Sequence, residues 1–287
     1  MKRNAIARII IFSIISLLLL SILVVGIAAR SFSFTNHSGT ISSVGSADPS
    51  RIRNIDIEWV SGSVTVVPGR TDVITFAETE GLPEKDQMMW SISGNTLKIQ
   101  FCKTNKVVSF GVNISAPDKD LVITVPQEWA MDALDIESVS ADLQISQLTA
   151  GSMEIENVSG ECNIDHCISP DLHVETVSGN VHVTGECSYI EISSVSASCT
   201  VFPGNVPNQI KLDSVSGDLE LYFFEECPGF TASLDSLSGH VTSEFPTTMS
   251  GNNHTYGDGR CRIMCESVSG NLFIRMPRLE FTDKTGS

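Results

Sequence analysis

"DSVSGDLEL", residues 213–221, recurs along this chain in close variants: "ENVSGECNI" (156–164), "ETVSGNVHV" (175–183), "DSLSGHVTS" (235–243) and "ESVSGNLFI" (266–274). Aligned on the apolar residue before Ser, the copies centre on Val139, Val158, Val177, Val195, Val215, Leu237 and Val268, with steps of 19, 19, 18, 20, 22 and 31 residues. A fainter copy, "EWVSGSVTV", centres on Val60. Three positions before the anchor stand Ile136, Ile155, Val174, Ile192, Leu212, Leu234 and Cys265; four after it stand Leu143, Cys162, Val181, Cys199, Leu219, Val241 and Leu272. The columns five before and six after are also apolar, Ser243 excepted. Apolar residues two apart on each side of the Ser-Gly are strand periodicity, not helical periodicity. Self-similarity at such a period marks a repeat architecture, whose units bury a shared core only when stacked.

Each copy therefore reads as strand, corner, strand. Val215, Leu219 and Leu221 are expected to fill the core, Ser216-Gly217 to turn the corner, and Asp213 to face outward. The fold class is all-β: a single-stranded β-helix or β-solenoid with ~19-residue coils, preceded by one N-terminal transmembrane helix. A sandwich of β-hairpins is the alternative, since it also uses regularly spaced short strands. Regular coils run from about Leu134 to Met276. Ahead of them, "IRNIDIEWVSGSVTVVPG", "DVITFAE", "NTLKIQF", "VVSFGVNIS" and "LVITVP" read as further strands. The long step contains "EFPTTMSGNNHTYGDGRC" (244–261), whose Gly, Asn and Thr content predicts a loop or exposed hairpin.

The organisation before and after the repeats follows from composition. Residues 1–8, with Lys2, Arg3 and Arg8, form a basic cytoplasmic N-terminus; the uncharged run 9–29 is long enough, at ~31 Å as a helix, to span a bilayer. The flanking cations place the N-terminus inside and the rest outside, so the expected location is a single-pass cell-membrane protein with an external C-terminal domain. Gly26-Ile27-Ala28 also fits a cleavage site, the competing reading. Residues 30–50 read as a Ser/Gly-rich flexible linker, 51–277 as the β domain and 278–287 as a polar tail. The formal net charge is −16, and discounting the four cations of residues 1–30 leaves −20 for the remainder. That excludes nucleic acid, which needs a basic footprint, and favours cationic partners.

Three columns hold the chemistry. Ser140, Ser159, Ser178, Ser196, Ser216, Ser238 and Ser269 lack a fixed His neighbour or a G-x-S-x-G elbow, so backbone bonding at stacked corners explains them better than nucleophilic catalysis. Two residues before the anchors, Glu137, Glu156, Glu175, Asp213, Asp235 and Glu266 form an outward acidic column broken by Ser193. Carboxylates stacked ~4.8 Å apart repel by about 1 kcal/mol even at the dielectric of water. The column therefore calls for splayed rotamers or cations, Ca²⁺ or polycationic ligands among them. No pair within it is singled out as acid and nucleophile, so the expected function is non-enzymatic. Of the eight Cys, Cys162, Cys199 and Cys265 fall in inward columns and read as buried hydrophobes. Cys167 and Cys187 fall in turns of adjacent coils, within reach of a disulfide. Cys227 and Cys261 meet only if the chain after Leu237 folds back. Zinc is not expected, since Cys261 and Cys265 lack a second suitably spaced pair. His166, His173 and His182 are placed to cluster on neighbouring coils but read as solvated.

"VSGSVTV" (60–66), "LVITVP" (121–126), the serial "SVSGDLEL" units and "YGDGRCRIMCESVSGNLFI" (256–274) together resemble the bacterial putative-adhesin domain family over roughly residues 51–277. The resemblance implies a membrane-attached right-handed or related β-helix at the cell envelope, associated with surface adhesion or envelope-stress regulation, and it carries over no catalytic residues. Ala141 and Ala197 depart from the corner Gly, which argues against a strict positive-φ requirement there. The expected partners are the membrane through residues 9–29 and an unidentified protein or cell-wall or surface ligand. The alternative function is a carbohydrate-active β-helix enzyme acting on envelope or extracellular polysaccharide.

Overall fold

In the computed structural model, residues 39–102, 117–224 and 226–277 are described, and among them the period-two alternation becomes twenty strands with no α-helix. They are β1 (Thr40–Ile41), β2 (Val44–Ala47), β3 (Asn54–Gly69), β4 (Ile74–Glu78), β5 (Met89–Ser93), β6 (Thr96–Gln100), β7 (Leu121–Pro126), β8 (Ala130–Ser146), β9 (Thr149–Asn157) and β10 (Cys162–Thr176). They continue as β11 (Val181–Ser194), β12 (Cys199–Pro203), β13 (Gln209–Ser214), β14 (Leu219–Tyr222), β15 (Gly229–Ser236), β16 (Val241–Ser243), β17 (Thr248–Ser250), β18 (Asn253–Gly257), β19 (Cys261–Ser267) and β20 (Leu272–Arg275). The expected membrane helix at 9–29, the strand "VVSFGVNIS" and the polar tail 278–287 lie outside the described residues. No helix among the described residues is long and apolar enough to cross a membrane.

The coils stack in parallel, as a solenoid requires and a hairpin sandwich does not. Before the corner, the pairing runs β6–β3–β8–β9–β10–β11–β13–β19–β15; after it, β7–β3–β8–β10–β11–β12–β14–β20–β16. The long strands β3 and β8 belong to both faces because they bend through the corner, whereas β10 and β11 end at the corners and join the faces through the opposite bend of the coil. Neither face closes on itself. Antiparallel strands finish each end: β5 and β1 beyond β6, β4 and β2 beyond β7, and β18 and β17 beyond β15.

Two departures from the sequence expectation follow from these pairings. Part of the expected linker is ordered sheet, because β1 and β2 supply the outermost strands of the first end. The coils also do not stack in chain order. The hairpin β17–β18 folds back along the outer edge of β15, so the chain returns on its inner side and β19 slots between β13 and β15. Residues 244–261 thus form the exposed hairpin that their composition predicts.

The inward columns fill the core as read, with Ile136, Ile155, Val174, Ile192, Leu212 and Leu219 all buried. Removing such side chains from water stabilises by roughly 1.5–3 kcal/mol each. The anchor residue is the exception. Val215 is only half-buried and Leu237 is exposed, whereas the small polar residue just before the anchor points inward: Ser138, Asn157, Thr176, Ser194, Ser214 and Ser267 are buried. Strand alternation explains this, since the position three before the anchor is inward and so is the one directly before it. These buried polar groups bond the corner backbone, as Ser214 Oγ does to Ser216 O at 2.9 Å and Gly270 N does to Ser267 Oγ at 2.7 Å.

The corner Ser and Gly have separate tasks. Ser140, Ser159, Ser178, Ser196 and Ser216 donate their hydroxyls to the anchor carbonyl of the adjacent coil at 2.9–3.5 Å. Gly179 has φ 111°, and a Cβ there would lie 2.1 Å from Gly160 O. Close approach of stacked corners therefore requires glycine there. Ala141 and Ala197 turn without positive φ, so left-handed backbone is not obligatory.

Each end of the core is plugged by aromatic rings. At the last coils, Phe230 packs against Phe223, Phe245 and Tyr256, with centroids 5.6–5.8 Å apart. At the first coil, the backbone of Lys119 crosses over the Gly62 corner, and Trp59 Nε1 donates to Lys119 O at 3.1 Å. The Lys119 ammonium lies fully buried between Trp59 and Phe101, 4.7 and 4.2 Å from their centroids. It donates to the Glu78 carboxylate and to the carbonyls of Phe101 and Asp86.

Candidate functional site: an acidic sheet face

Parallel register places the residues two before each anchor in one line across the first face. The order is Gln100, Glu58, Glu137, Glu156, Glu175, Ser193, Asp213, Glu266, Asp235. All six acids expected from the sequence are in it and all point outward. The permuted coil order puts Glu266 between Asp213 and Asp235, and the fainter first repeat adds Glu58.

A second outward line runs beside it, four before each anchor: Lys98, Asp56, Asp135, Glu154, His173, Glu191, Lys211. Sequence reading missed this line, although it occupies a fixed position in the same alignment. It supplies part of the compensation that the acids need. Lys98 bonds Asp56 at 3.1 Å and Glu58, and Gln100 bonds Glu58 at 2.7 Å. Lys211 bridges Glu191 and Asp213 at 2.8 and 2.7 Å. His173 Nε2 lies 2.9 Å from Glu175 Oε1. Burial works against the Lys211 ammonium, but its two carboxylate partners hold it above its usual pKa. The Glu175 hydrogen bond likewise raises His173.

Between Lys98 and His173 lies a pocket of about 200 Å³ lined by Asp56, Asp135, Ile136, Glu137, Glu154 and Glu156. Burial pushes Asp135 above the usual carboxylate range, and Glu154 and Asp56 add to the rise. Burial also raises Asp56, outweighing Lys98. Burial and Asp213 together raise Glu266. These carboxylates thus sit in a field that disfavours their ionised form, which a cation relieves. Among the described residues, no group of three or more His, Cys, Asp or Glu is arranged to hold a metal ion.

The cysteines carry no bridge. None of the eight is joined in a disulfide. Cys167 and Cys187 do lie on adjacent strands, but after the one-residue register shift at the bulge following Ile164 they stand two residues out of register. Cys167 pairs with Gly185, and Cys187 with Ser169. Cys162 and Cys199 flank Val181 two coils apart, and burial pushes both thiols up to about 12. Cys265 is buried in the neighbouring column, with its pKa also raised to about 12. The fold-back foreseen after Leu237 does occur, placing Cys261 beside Phe230, yet Cys227 and Cys261 remain separate thiols. His166 and His182 share a groove on the second face, while His173 belongs to the acidic face.

The family model described as Toastrack DUF4097 matches residues 52–202, just over half of the chain. The chain belongs to the Toastrack DUF4097 family. This is the membership that the serial Val-Ser-Gly units anticipate. Among solved structures, one described as "a putative cell adhesion protein" from Clostridium sporogenes ATCC 15579 is similar at 9% identity and a TM-score of 0.43, covering 84% of this chain and 100% of that one. Another, "a putative adhesin" from Bacteroides fragilis NCTC 9343, is similar at 14% identity and a TM-score of 0.45, covering 80% of this chain and 95% of that one. No curated protein matches the chain.

Proposed function

We propose that this Toastrack chain is a non-enzymatic surface-binding module whose acidic face engages a polycationic partner. The reading has it anchored by residues 9–29 and displayed outside the cell, serving adhesion or envelope sensing. The observation that carries it is the two-column carboxylate face, in which half-buried Asp56 and Asp135, both with raised pKa, crowd one pocket with Glu137, Glu154 and Glu156 between Lys98 and His173. A chain that only needed a soluble face would gain nothing by packing like charges in register, because directly opposed like charges destabilise a sheet. Relief by an external polycation makes the pattern productive, with attraction that falls as salt rises.

The test titrates pentalysine into the full-length chain at low and physiological salt. Binding that weakens with salt is expected. It should weaken at least about tenfold further, some 1.4 kcal/mol, in the combined Asp135→Asn, Glu137→Gln, Glu154→Gln, Glu156→Gln variant. Equal affinity of that variant would overturn the assignment. Purifying the tagged, membrane-embedded chain and identifying its companions separates a regulator from an adhesin.

A further inference from the structure

The second face carries a separate feature. In register after the corner, Thr184, Phe202, Tyr222 and Arg275 stand on successive strands. The Phe202 and Tyr222 rings stack with centroids 4.2 Å apart and planes 10° from parallel. The ladder then stops, because Thr184 occupies the place of the next ring. Tyr222 covers one face of Phe202; the other turns toward Thr184, with the His182 ring beside it at 5.5 Å and a 54° tilt. The space so left is a groove of about 520 Å³, bounded by the glycines Gly185 and Gly204 and by exposed Ile168 and Phe224. That volume lies within the roughly 300–1,000 Å³ of small-molecule sites.

Polar groups are fixed along the same groove. His166 has φ 51°, a left-handed conformation uncommon for a residue with a side chain, at the bulge that interrupts β10. Its backbone N–H donates to Thr184 Oγ1 at 2.7 Å, and Thr184 Oγ1 donates to Asp165 Oδ1 at 2.8 Å. Asp165 Oδ1 also holds His166 Nδ1 at 2.7 Å, which orients the exposed imidazole and leaves Nε2 for a ligand. Glu186 offers an exposed carboxylate on the rim.

We infer that this groove binds a carbohydrate, one pyranose ring lying on the open face of Phe202 with its hydroxyls bonded to His166 and Glu186. The ligand must be flat and apolar on one side, to continue the ring ladder, and rich in hydroxyls at its edge. An aliphatic chain would use the ring but desolvate the His166 and Glu186 groups without bonding them. A polycation finds far denser charge on the acidic face. This site is independent of the one proposed above and shares no residue with it.

Isothermal titration calorimetry of the full-length chain with cellotetraose, chitotetraose and mannotetraose, each to ~10 mM, tests the inference. Binding of at least one is expected. Phe202→Ala should weaken it about tenfold, since stacking on an aromatic face contributes on that order. Thr184→Phe, which extends the ladder into the groove, should abolish it, and Val122→Ala, at the far end of the same face, should leave it unchanged. If Thr184→Phe fails to fold, Phe202→Leu removes the ring while keeping bulk and should weaken binding like Phe202→Ala. The inference is overturned if no tetrasaccharide binds, if Phe202 variants bind as well as the parent, or if only an apolar dye enters the groove.

Discussion

Replacing Lys119 with Met should be among the most damaging single changes in this chain. The Lys119 and Glu78 side chains are both fully buried and form an ion pair. Glu78 also accepts from Met88 N at 2.7 Å and Ser43 Oγ at 3.1 Å, so it ties the β4 end to the turn before β5. Met fills the space between Trp59 and Phe101 but leaves the Glu78 carboxylate buried without its cation, and it strands the Phe101 and Asp86 carbonyls. Breaking a buried pair from one side costs about 3–5 kcal/mol. The lost cation–π contacts overlap with that figure and are not added to it. At roughly 2–4 °C per kcal/mol for a domain of this size, the melting temperature should fall by about 6–20 °C. Adding Glu78→Gln, which keeps an acceptor for Met88 N–H but removes the stranded charge, should restore part of the loss. Thermal unfolding of the full-length chain, followed by circular dichroism, reads both. A Lys119→Met melt within about 2 °C of the parent, or a double variant weaker than the two singles combined, would refute the reasoning that charge burial dominates this plug.

Other expectations concern the acidic face, the thiols and the corners. Because the folded pKa of Asp135 is raised, its ionised form costs stability: the cost is absent below the unfolded pKa and grows as pH rises through the folded one. Asp135→Asn should therefore stabilise by roughly 0.5 kcal/mol at pH 7, a small figure because the group is partly solvent-screened, and lose that advantage below about pH 3, as denaturant titrations at the two pH values would show. Native alkylation at pH 8 should modify at most Cys102, the half-buried thiol, and denatured alkylation all eight; two fewer on denaturation would mean a bridge. Gly179→Ala should cost about 2–4 kcal/mol, combining left-handed strain with a Cβ 2.1 Å from Gly160 O, and an unchanged urea midpoint would contradict the stacked-corner account.

Much of the fold is legible in the alignment of Val-Ser-Gly units. A column that recurs every 18–22 residues must sit in register once strands are parallel. The apolar columns, the outward acids and the hydroxyl-to-carbonyl corners follow from that alone. The neighbouring column of Asp56, Asp135, Glu154 and Lys211 was equally periodic, but its mixed chemistry concealed it. Val215 lies outside the core because the alternation set by Ile210 and Leu212 runs on to the corner and gives Ser214 the inward position.

What the sequence by itself determined is the coil: its length, its inward and outward positions, and the residues that meet across adjacent coils. Register carries that information, because a one-residue slip would turn every apolar column to water. Only the tertiary structure decided the order in which coils stack, since β13 can pair equally well with β15 or β19 by pattern, and the fold-back of β17–β18 onto β15 selects β19. It also decided which polar residues are buried. Lys119 and Glu78 are 41 residues apart and carry no periodic mark, and they meet because the segment before β7 crosses the first corner. The groove beside Phe202 has the same origin: a missing ring at Thr184 becomes a cavity only when the strands on either side are laid against it.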